Sequence, residues 1–285
     1  MKKGIYTALV TPFCKNNKID YVALGTIIDA QINAKVCGVV ALGTTAETPT
    51  LSAKEKKQIL SFVIKKAAGK MEIVAGCGTN CTATTLKEIK WLNSQKIDAI
   101  LLCLPAYNKP NFLGLKKHVE LCAKSSTHPI CLYYVPSRTG QSLSFAELKE
   151  LCEIPNIVAI KDASDNLDLF FLLAQNKNIN VYSGNDPQLL QTLMLGGSGI
   201  VSVASNAFPN QTNQIVQSYY ASNFAQALEI FSKLAPILSS LFVETNPVPI
   251  KYILSQMGIC PDTVRLPLGP LSQESKNIIL SHMQS

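Results

Sequence analysis

Eight short apolar runs alternate with amphipathic segments along the chain, and this alternation predicts a (β/α)8 barrel. The runs are rich in Val, Ile, Leu and Ala and lack period-2 alternation, which is typical of parallel strands covered on both faces. A doubly wound sheet of eight units is the alternative, but no glycine-rich phosphate turn follows the first run. The runs cover residues 4–10, 36–43, 71–78, 98–105, 129–136, 157–163, 179–184 and 199–204.

Helix-start signals stand between these runs. Asp20 can cap a helix over about residues 20–35, and Ser52 with Glu55 three positions later forms a capping box for the next helix. Later helices are predicted to open at Thr82, Pro110 and Ser144.

Strand signals stop at about Phe224. Residues 224–285 have the pattern of three helices, broken at residues 246–249 and 258–270 by prolines and glycines. We therefore predict a barrel over residues 1–223 and a C-terminal helical appendage over residues 224–285.

Composition excludes several classes of function. With 47% apolar and 16% charged residues the chain is predicted to be globular, and its +7 net charge is scattered, which argues against nucleic-acid binding. No apolar stretch is long enough to span a membrane. None of the three histidines has metal-ligand spacing, so no metal or other cofactor is expected. Nine cysteines, an odd number, and no hydrophobic export region predict a cytoplasmic location.

Lys161 is the most informative residue. It follows the apolar run Ile157–Ile160 at the end of the sixth predicted strand, where a (β/α)8 barrel forms its active site. Removal from water favours the neutral form of an amine, and a neutral amine can attack a carbonyl carbon to form a Schiff base. The alternative is a structural ion pair with Asp162 or another acid.

Other strand ends also carry polar residues. The second strand ends in a small-residue turn, 43–48, whose N–H groups and hydroxyls can bind an anion, although a simple capping turn has the same composition. On the fifth strand Tyr133 and Tyr134 point to opposite faces, and one of them should lie near Lys161 as a proton shuttle or a core residue. Arg138 follows in the next loop, where a guanidinium can bind a carboxylate.

Several ordered motifs resemble the dihydrodipicolinate synthase and N-acetylneuraminate lyase family of Schiff-base aldolases, over nearly the whole chain. The family is known for a (β/α)8 barrel and pyruvate-dependent chemistry. The motifs lie at residues 7–13, 43–47, 133–140, 160–164, 183–186, 196–202 and 246–251.

The resemblance implies roles for individual residues. Lys161 would form the imine with pyruvate, and the turn at Thr44 and Thr45 would bind the pyruvate carboxylate. Tyr133, Thr44 and the partner subunit's Tyr107 would form a proton relay. The remaining positions carried over are Arg138 for the second substrate, and Gly184 with the Val201 carbonyl for the pyruvate pocket.

The sequence Ser137–Gly140 is similar to the synthase branch of the family, in which the arginine holds the carboxylate of L-aspartate 4-semialdehyde. The resemblance thus implies an aldol condensation of that substrate with pyruvate, in lysine and diaminopimelate biosynthesis, by a homo-oligomer of at least two and commonly four subunits.

Two positions depart from the family. Ala46 replaces a frequent glycine and would be strained if φ were positive there, and Ala106 replaces a frequent tyrosine.

Alternatives remain at this point. The chain could be a sialic acid or keto-deoxy sugar acid lyase of the same family, against which Arg138 argues, or a binding protein without activity, against which the complete lysine, tyrosine and threonine set argues. Glu47 is expected to hydrogen-bond within its turn and Lys251 to be structural.

Regulation is the last expectation from the resemblance. Lysine-inhibited relatives bind lysine through a histidine, a glutamate and a tyrosine at positions that match Lys56, Thr84 and Ala106, while Asn80 matches a retained ligand. The chain is therefore predicted to be insensitive or only weakly sensitive to lysine.

Overall fold

The computed structural model describes residues 1–284, and its eight parallel strands close into a barrel in the order β1 to β8. The predicted fold class is confirmed. Each strand lies within one of the predicted apolar runs, which extend beyond it because strand-end loops are also apolar. The strands are β1 (Gly4–Ala8), β2 (Gly38–Ala41), β3 (Glu72–Cys77), β4 (Ala99–Cys103), β5 (Ile130–Tyr134), β6 (Ile157–Asp162), β7 (Asn180–Ser183) and β8 (Gly199–Ser202).

Twelve helices lie between and after the strands in the described part of the chain. They are α1 (Tyr21–Asn33), α2 (Ala53–Ala67), α3 (Thr82–Leu92), α4 (Phe112–Ser125), α5 (Pro136–Thr139), α6 (Phe145–Cys152), α7 (Leu167–Ala174), α8 (Leu189–Met194), α9 (Pro209–Tyr220), α10 (Phe224–Ser240), α11 (Val248–Gln256) and α12 (Gln273–Gln284). The last three are the predicted C-terminal helices. No helix within residues 1–284 has the length and apolarity to cross a membrane.

The predicted caps are mostly confirmed. The Asp20 carboxylate accepts from the Val22 and Ala23 N–H groups, and both capping boxes, at Ser52 and at Ser144, are formed. One prediction was wrong: Pro110 does not open α4. Asn111 caps that helix instead, because its side-chain oxygen can accept the N–H of Gly114, at 2.9 Å, whereas proline has no such group.

Contacts group the chain into two compact units. One comprises residues Met1–Lys3 and Glu72–Val201, and the other comprises Gly4–Met71 and Ser202–Ser285. The predicted boundary between residues 223 and 224 stays a prediction.

The first unit is organised by the register of its strands. Cys103 on β4 pairs with Tyr133 on β5, which pairs with Lys161 on β6, which pairs with Tyr182 on β7. Because paired residues of neighbouring strands project to the same face of a sheet, this row brings four side chains to one level. The sheet register therefore places Lys161 beside Tyr133.

The second unit contains a buried hydrogen-bond network on β1. Thr7 donates to the Gln31 side chain at 2.6 Å and accepts from the Ser205 hydroxyl at 2.9 Å, while the Gln31 amide donates to the Ser205 carbonyl at 2.9 Å. Each such bond contributes about 0.5–1.5 kcal/mol. The network fixes β1 to α1 and to the turn that follows β8.

Candidate active site

Lys161 is a buried amine that lies against an aromatic ring. Its side chain extends from the end of β6, the residue is 6% exposed, and its Nζ lies 4.3 Å from the centroid of the Tyr133 ring. Tyr133 is equally buried, at 6%. The ring face attracts a cation weakly and cannot accept its proton. The amine and the phenol are thus neighbours in a site largely removed from water.

The Lys161 amine has no ionic partner within residues 1–284, so the alternative of a structural ion pair was wrong. The adjacent Asp162 lies next in the strand and therefore projects to the opposite face. Its carboxylate accepts the Ser164 N–H at 2.9 Å, and burial raises its pKa. Asp162 shapes the loop after β6 and leaves Lys161 unpaired.

Gly184 makes room for the lysine. A Cβ atom built at this glycine would lie 2.7 Å from Cε of Lys161 and 2.7 Å from Cβ of Ala163, well inside van der Waals contact. The Gly184 N–H also donates to the Asp162 carbonyl at 2.6 Å. Any side chain at this position would displace the Lys161 side chain.

The two tyrosines of β5 have different surroundings. Tyr133 faces Lys161, whereas the Tyr134 hydroxyl accepts the Leu143 N–H at 3.0 Å and so holds the loop before α6. Burial raises the pKa of Tyr134. Of the pair, Tyr133 is the one that lies against the amine.

Cys103 is a residue of this site that the sequence did not reveal. It ends β4 in register with Tyr133, and its thiol senses the charges of both Lys161 and Arg138. Burial raises the Cys103 pKa to about 11, and the two cations oppose this shift. The signal available in the sequence was its place at a strand end.

The other predicted residues of the first unit differ in exposure. Arg138 is exposed on α5, directly after β5, whereas Val201 is fully buried in β8. Tyr107 is 89% exposed and has a left-handed backbone, with φ of 75°. Within its own chain Tyr107 does not join the Lys161 and Tyr133 pair.

The second unit contains the turn after β2 that the sequence predicted to bind an anion. Residues Thr44–Ala46 form one turn of 3-10 helix, and the N–H groups of Thr44 and Thr45 have no acceptor among residues 1–284. Such outward-directed N–H groups favour an anion. Thr44 is half-buried and Thr45 is buried.

Left-handed residues bracket this turn. Leu42 and Glu47 have φ of 57° and 55°, a conformation that costs on the order of 1–3 kcal/mol for a residue with a side chain. Ala46 is not among the positive-φ residues, so the strain considered for it does not arise. Strain of this kind persists only where surrounding contacts hold it.

Side chains from three directions hold the turn. Thr11 donates to the Ala46 carbonyl at 2.8 Å and Thr48 donates to the Gly43 carbonyl at 2.8 Å. The Asn246 amide donates to the Thr45 hydroxyl oxygen at 3.0 Å. Asn246 lay in a recognised motif, but no role for it followed from the sequence because its partner is 201 positions away.

Lys251 and Glu47 form a buried ion pair next to the same turn, with both side chains fully inaccessible. Lys251 therefore has a structural partner, as the sequence led us to expect, and Glu47 bonds beside its turn. No cluster of three or more potential metal ligands occurs among the residues from 1 to 284.

Lys161 lies at the carboxyl end of β6, and the Thr44–Thr45 turn follows the carboxyl end of β2. The lysine is buried beside Tyr133 and has no ionic partner within residues 1–284. This is the arrangement expected of enzymes that form imines with carbonyl substrates on a (β/α)8 barrel. The profile of the Dihydrodipicolinate synthetase family matches residues 1–285, and the chain belongs to this family.

Named relatives and solved structures resemble this chain over nearly its whole length. A protein of Methanocaldococcus jannaschii named 4-hydroxy-tetrahydrodipicolinate synthase is 40% identical over 280 residues, which are 98% of this chain and 96% of the relative. The dihydrodipicolinate synthase structure from Thermotoga maritima is 32% identical, with a TM-score of 0.96 over 100% of this chain and 98% of that one. The Acinetobacter baumannii enzyme, solved in complex with pyruvate, is 34% identical with the same TM-score and coverage.

Proposed function

We propose that this protein is an enzyme that condenses pyruvate with L-aspartate 4-semialdehyde to give 4-hydroxy-tetrahydrodipicolinate, in lysine biosynthesis by the diaminopimelate route. The observation that carries the proposal is the Lys161 amine, buried against Tyr133 without an ionic partner. The relatives named for this activity, 40% identical over nearly the whole chain, support it. The competing prediction is another pyruvate-dependent aldolase, an N-acetylneuraminate lyase or a keto-deoxy sugar acid aldolase.

The chemistry begins with the Lys161 amine, which attacks the ketone carbon of pyruvate. Water leaves and an imine forms, which acidifies the pyruvate methyl group. Loss of a methyl proton gives an enamine, and its carbon attacks the aldehyde carbon of the second substrate. The amino group of that substrate then attacks the imine carbon, closes the ring and expels Lys161. No cofactor is needed, because the lysine itself provides the electron sink.

Each of these steps moves a proton and needs a group that can give or take it. We assign the relay to Tyr133, Thr44 and Tyr107 of the partner subunit. The 4.3 Å contact between the Lys161 amine and the Tyr133 ring supports the first member. The 89% exposure of Tyr107 in the single chain suits a residue that acts in another subunit.

The pyruvate carboxylate is assigned to the Thr44–Thr45 turn. Two N–H groups without acceptors within residues 1–284, together with the Thr45 hydroxyl, supply the donors. Gly184 and the carbonyl of Val201 would complete the pyruvate pocket. The space that Gly184 leaves for Lys161 supports its place there.

Arg138 is assigned to the carboxylate of the semialdehyde. Its exposed position on α5 suits a residue that meets the second substrate as it enters, and a guanidinium can bind a carboxylate with two hydrogen bonds. The Arg138 charge opposes the burial-raised pKa of the Cys103 thiol, which supports a position near the strand ends of the first unit.

The relay requires at least a dimer, and we propose a homotetramer made of two dimers. Exposed apolar side chains support this assembly: Phe171 on α7 is 44% exposed and Met194 on α8 is 69% exposed. All nine cysteines are free, which supports the proposed cytoplasmic location. Within each subunit we propose residues 1–223 as the catalytic barrel and 224–285 as the appendage.

A substrate panel tests the proposal. The purified enzyme should consume pyruvate with L-aspartate 4-semialdehyde and leave N-acetylmannosamine untouched. Arg138→Ala should lower kcat/KM for the semialdehyde by roughly ten- to a hundredfold, because a charged hydrogen bond is lost, while borohydride still traps pyruvate on the enzyme. Arg138→Lys, which keeps the charge without the planar fork, is the matched control and should lose less. A wild-type preference for the sugar, or an unchanged Arg138→Ala enzyme, would refute the assignment.

A further inference from the structure

Glu47 ends the proposed carboxylate-binding turn in a conformation that needs support. Its φ of 55° and ψ of 37° are left-handed, and its N–H donates back to the Thr44 carbonyl at 3.0 Å. The direction of the Thr44 and Thr45 N–H groups depends on this backbone corner. Contacts that fix the Glu47 side chain therefore also fix the backbone of the Thr44–Thr45 turn.

The C-terminal region engages both oxygens of the Glu47 carboxylate. Oε1 accepts from Nζ of Lys251, and Oε2 accepts the backbone N–H of Arg265 at 2.9 Å. Lys251 also donates to the Thr263 carbonyl at 2.9 Å and lies 4.1 Å from the centroid of the Phe13 ring. The carboxylate has hydrogen bonds from two separate chain segments and cannot rotate without breaking one of them.

Arg265 binds the segment that follows the turn. Its guanidinium donates to both oxygens of Glu55, at 2.6 and 3.0 Å, and to the Thr50 carbonyl at 3.0 Å. The Glu55 pKa is lowered to about 2, mainly by this hydrogen bond. The loop between β2 and α2 is thus tied to the C-terminal region at both of its ends.

A second contact acts on the ligand-binding hydroxyl itself. Asn246 lies two residues before α11, the helix that carries Lys251, and its amide donates to the Thr45 oxygen at 3.0 Å. Because that oxygen accepts a hydrogen, the Thr45 hydroxyl hydrogen must point elsewhere, and no acceptor for it lies within residues 1–284. The hydroxyl is left as a donor for a bound anion.

We propose that the segment from Asn246 to Lys251 positions the Thr44–Thr45 turn for pyruvate: Lys251 fixes the backbone through Glu47, and Asn246 orients the Thr45 hydroxyl. These are positioning residues, since neither is proposed to touch the reacting atoms. The inference rests on the proposed function, which makes this turn the site of the pyruvate carboxylate. It predicts that the C-terminal region controls the affinity for pyruvate and not for the semialdehyde.

The backbone part is tested with the double variant Glu47→Gln/Lys251→Met. Removing both charges leaves no unpaired ion in the interior, so the variant should fold. Its KM for pyruvate should rise about ten- to a hundredfold, because the donors of the turn lose their alignment, while its KM for the semialdehyde stays within about twofold. Thr7→Val, which breaks a buried hydrogen bond of the same unit away from the turn, is the control and should leave both KM values unchanged.

The hydroxyl part is tested by comparing Asn246→Leu with Asn246→Asp. Leucine removes the hydrogen bond, whereas a carboxylate would accept the Thr45 hydrogen and also repel the incoming anion. The KM for pyruvate should therefore be at least about tenfold higher in Asn246→Asp than in Asn246→Leu. A residue that only stabilised the fold would change the melting temperature of both variants and leave the pyruvate KM of both alike.

Two kinds of failure can be told apart by borohydride trapping. If the wild-type enzyme forms no pyruvate adduct, the proposed function is wrong. If the wild type traps pyruvate and the folded double variant does so with the same concentration dependence, the positioning role of Lys251 is overturned. Equal pyruvate KM values in the two Asn246 variants would overturn the role of Asn246.

Discussion

Two lysines are buried among residues 1–284, and they differ in what lies beside the amine. Lys251 is completely inaccessible and bonds to the Glu47 carboxylate and the Thr263 carbonyl. Lys161 is 6% exposed and has only the face of Tyr133 against its amine, with no carboxylate partner in the described residues 1–284. Burial alone therefore does not identify a nucleophile.

The group beside each buried amine determines whether that lysine is structural or available as a nucleophile. Burial lowers the pKa of Lys251, and the Glu47 charge opposes that shift, so a proton lost from Lys251 would leave an unpaired carboxylate in the interior. Lys161 has no carboxylate beside its amine within residues 1–284, so its amine is not held in an ion pair. The lysine whose amine is not engaged by a carboxylate is the one available to attack a carbonyl carbon.

The largest effect expected from this comparison is on stability. Lys251→Met should lower the free energy of unfolding by about 3–5 kcal/mol, because it leaves Glu47 buried without its partner. Lys161→Met should have little effect or be stabilising, because it replaces a buried unpaired amine. Urea unfolding of both variants measures the difference.

The double variant Glu47→Gln/Lys251→Met is the control for that measurement. It should recover most of the stability lost in Lys251→Met, since the penalty arises from the uncompensated charge. Equal destabilisation by Lys161→Met and Lys251→Met would show that the two lysines do not differ as described.

A smaller effect concerns the thiol that shares the Lys161 environment. The Cys103 pKa is raised to about 11 by burial, so this thiol is protonated at pH 8 and should react slowly with iodoacetamide. Its rate should grow about tenfold per pH unit until the pH approaches that value. The exposed thiol of Cys81, whose pKa is lowered by a hydrogen bond with Thr84, should react first.

Peptide mass spectrometry after timed alkylation measures both rates. Pyruvate followed by borohydride should protect Cys103 and leave Cys81 unchanged, because Cys103, unlike Cys81, feels the charge of the Lys161 amine. Alkylation of Cys103 as fast as that of Cys81 at pH 8 would mean that the surroundings of Lys161 are more open to water than described.

The smallest expected effect involves a third lysine. The resemblance to the family matches Lys56 on α2 to a lysine-binding position, and a positive charge there disfavours a second ammonium group. Added lysine should therefore change the rate by less than about twofold at millimolar concentration. Strong inhibition below 1 mM, lost in Asn80→Ala, would show that a binding site exists.

Much of the fold could be predicted from the sequence, because its signals lie within short segments of the chain. Continuous apolar runs mark the strands of a parallel barrel, and the capping boxes at Ser52 and Ser144 depend on residues three positions apart. Lys161 was predictable as well, since a charged residue that ends an apolar run is conspicuous.

The remaining features depend on register and distant contacts. The neighbourhood of Cys103, Tyr133 and Lys161 follows from the strand register. The bond between Asn246 and Thr45 joins residues 201 positions apart. Neither can be read from one segment of sequence, so the site was predicted as separate residues and not as two organised groups.

The central claim is that Lys161, and not Lys251, carries the substrate. Borohydride reduction in the presence of pyruvate, followed by peptide mapping, tests it most directly. We predict one pyruvyl group per chain on the peptide that contains Lys161, no adduct in Lys161→Ala, and an unmodified Lys251 in both proteins. An adduct on Lys251, or undiminished labelling of Lys161→Ala, would contradict the account.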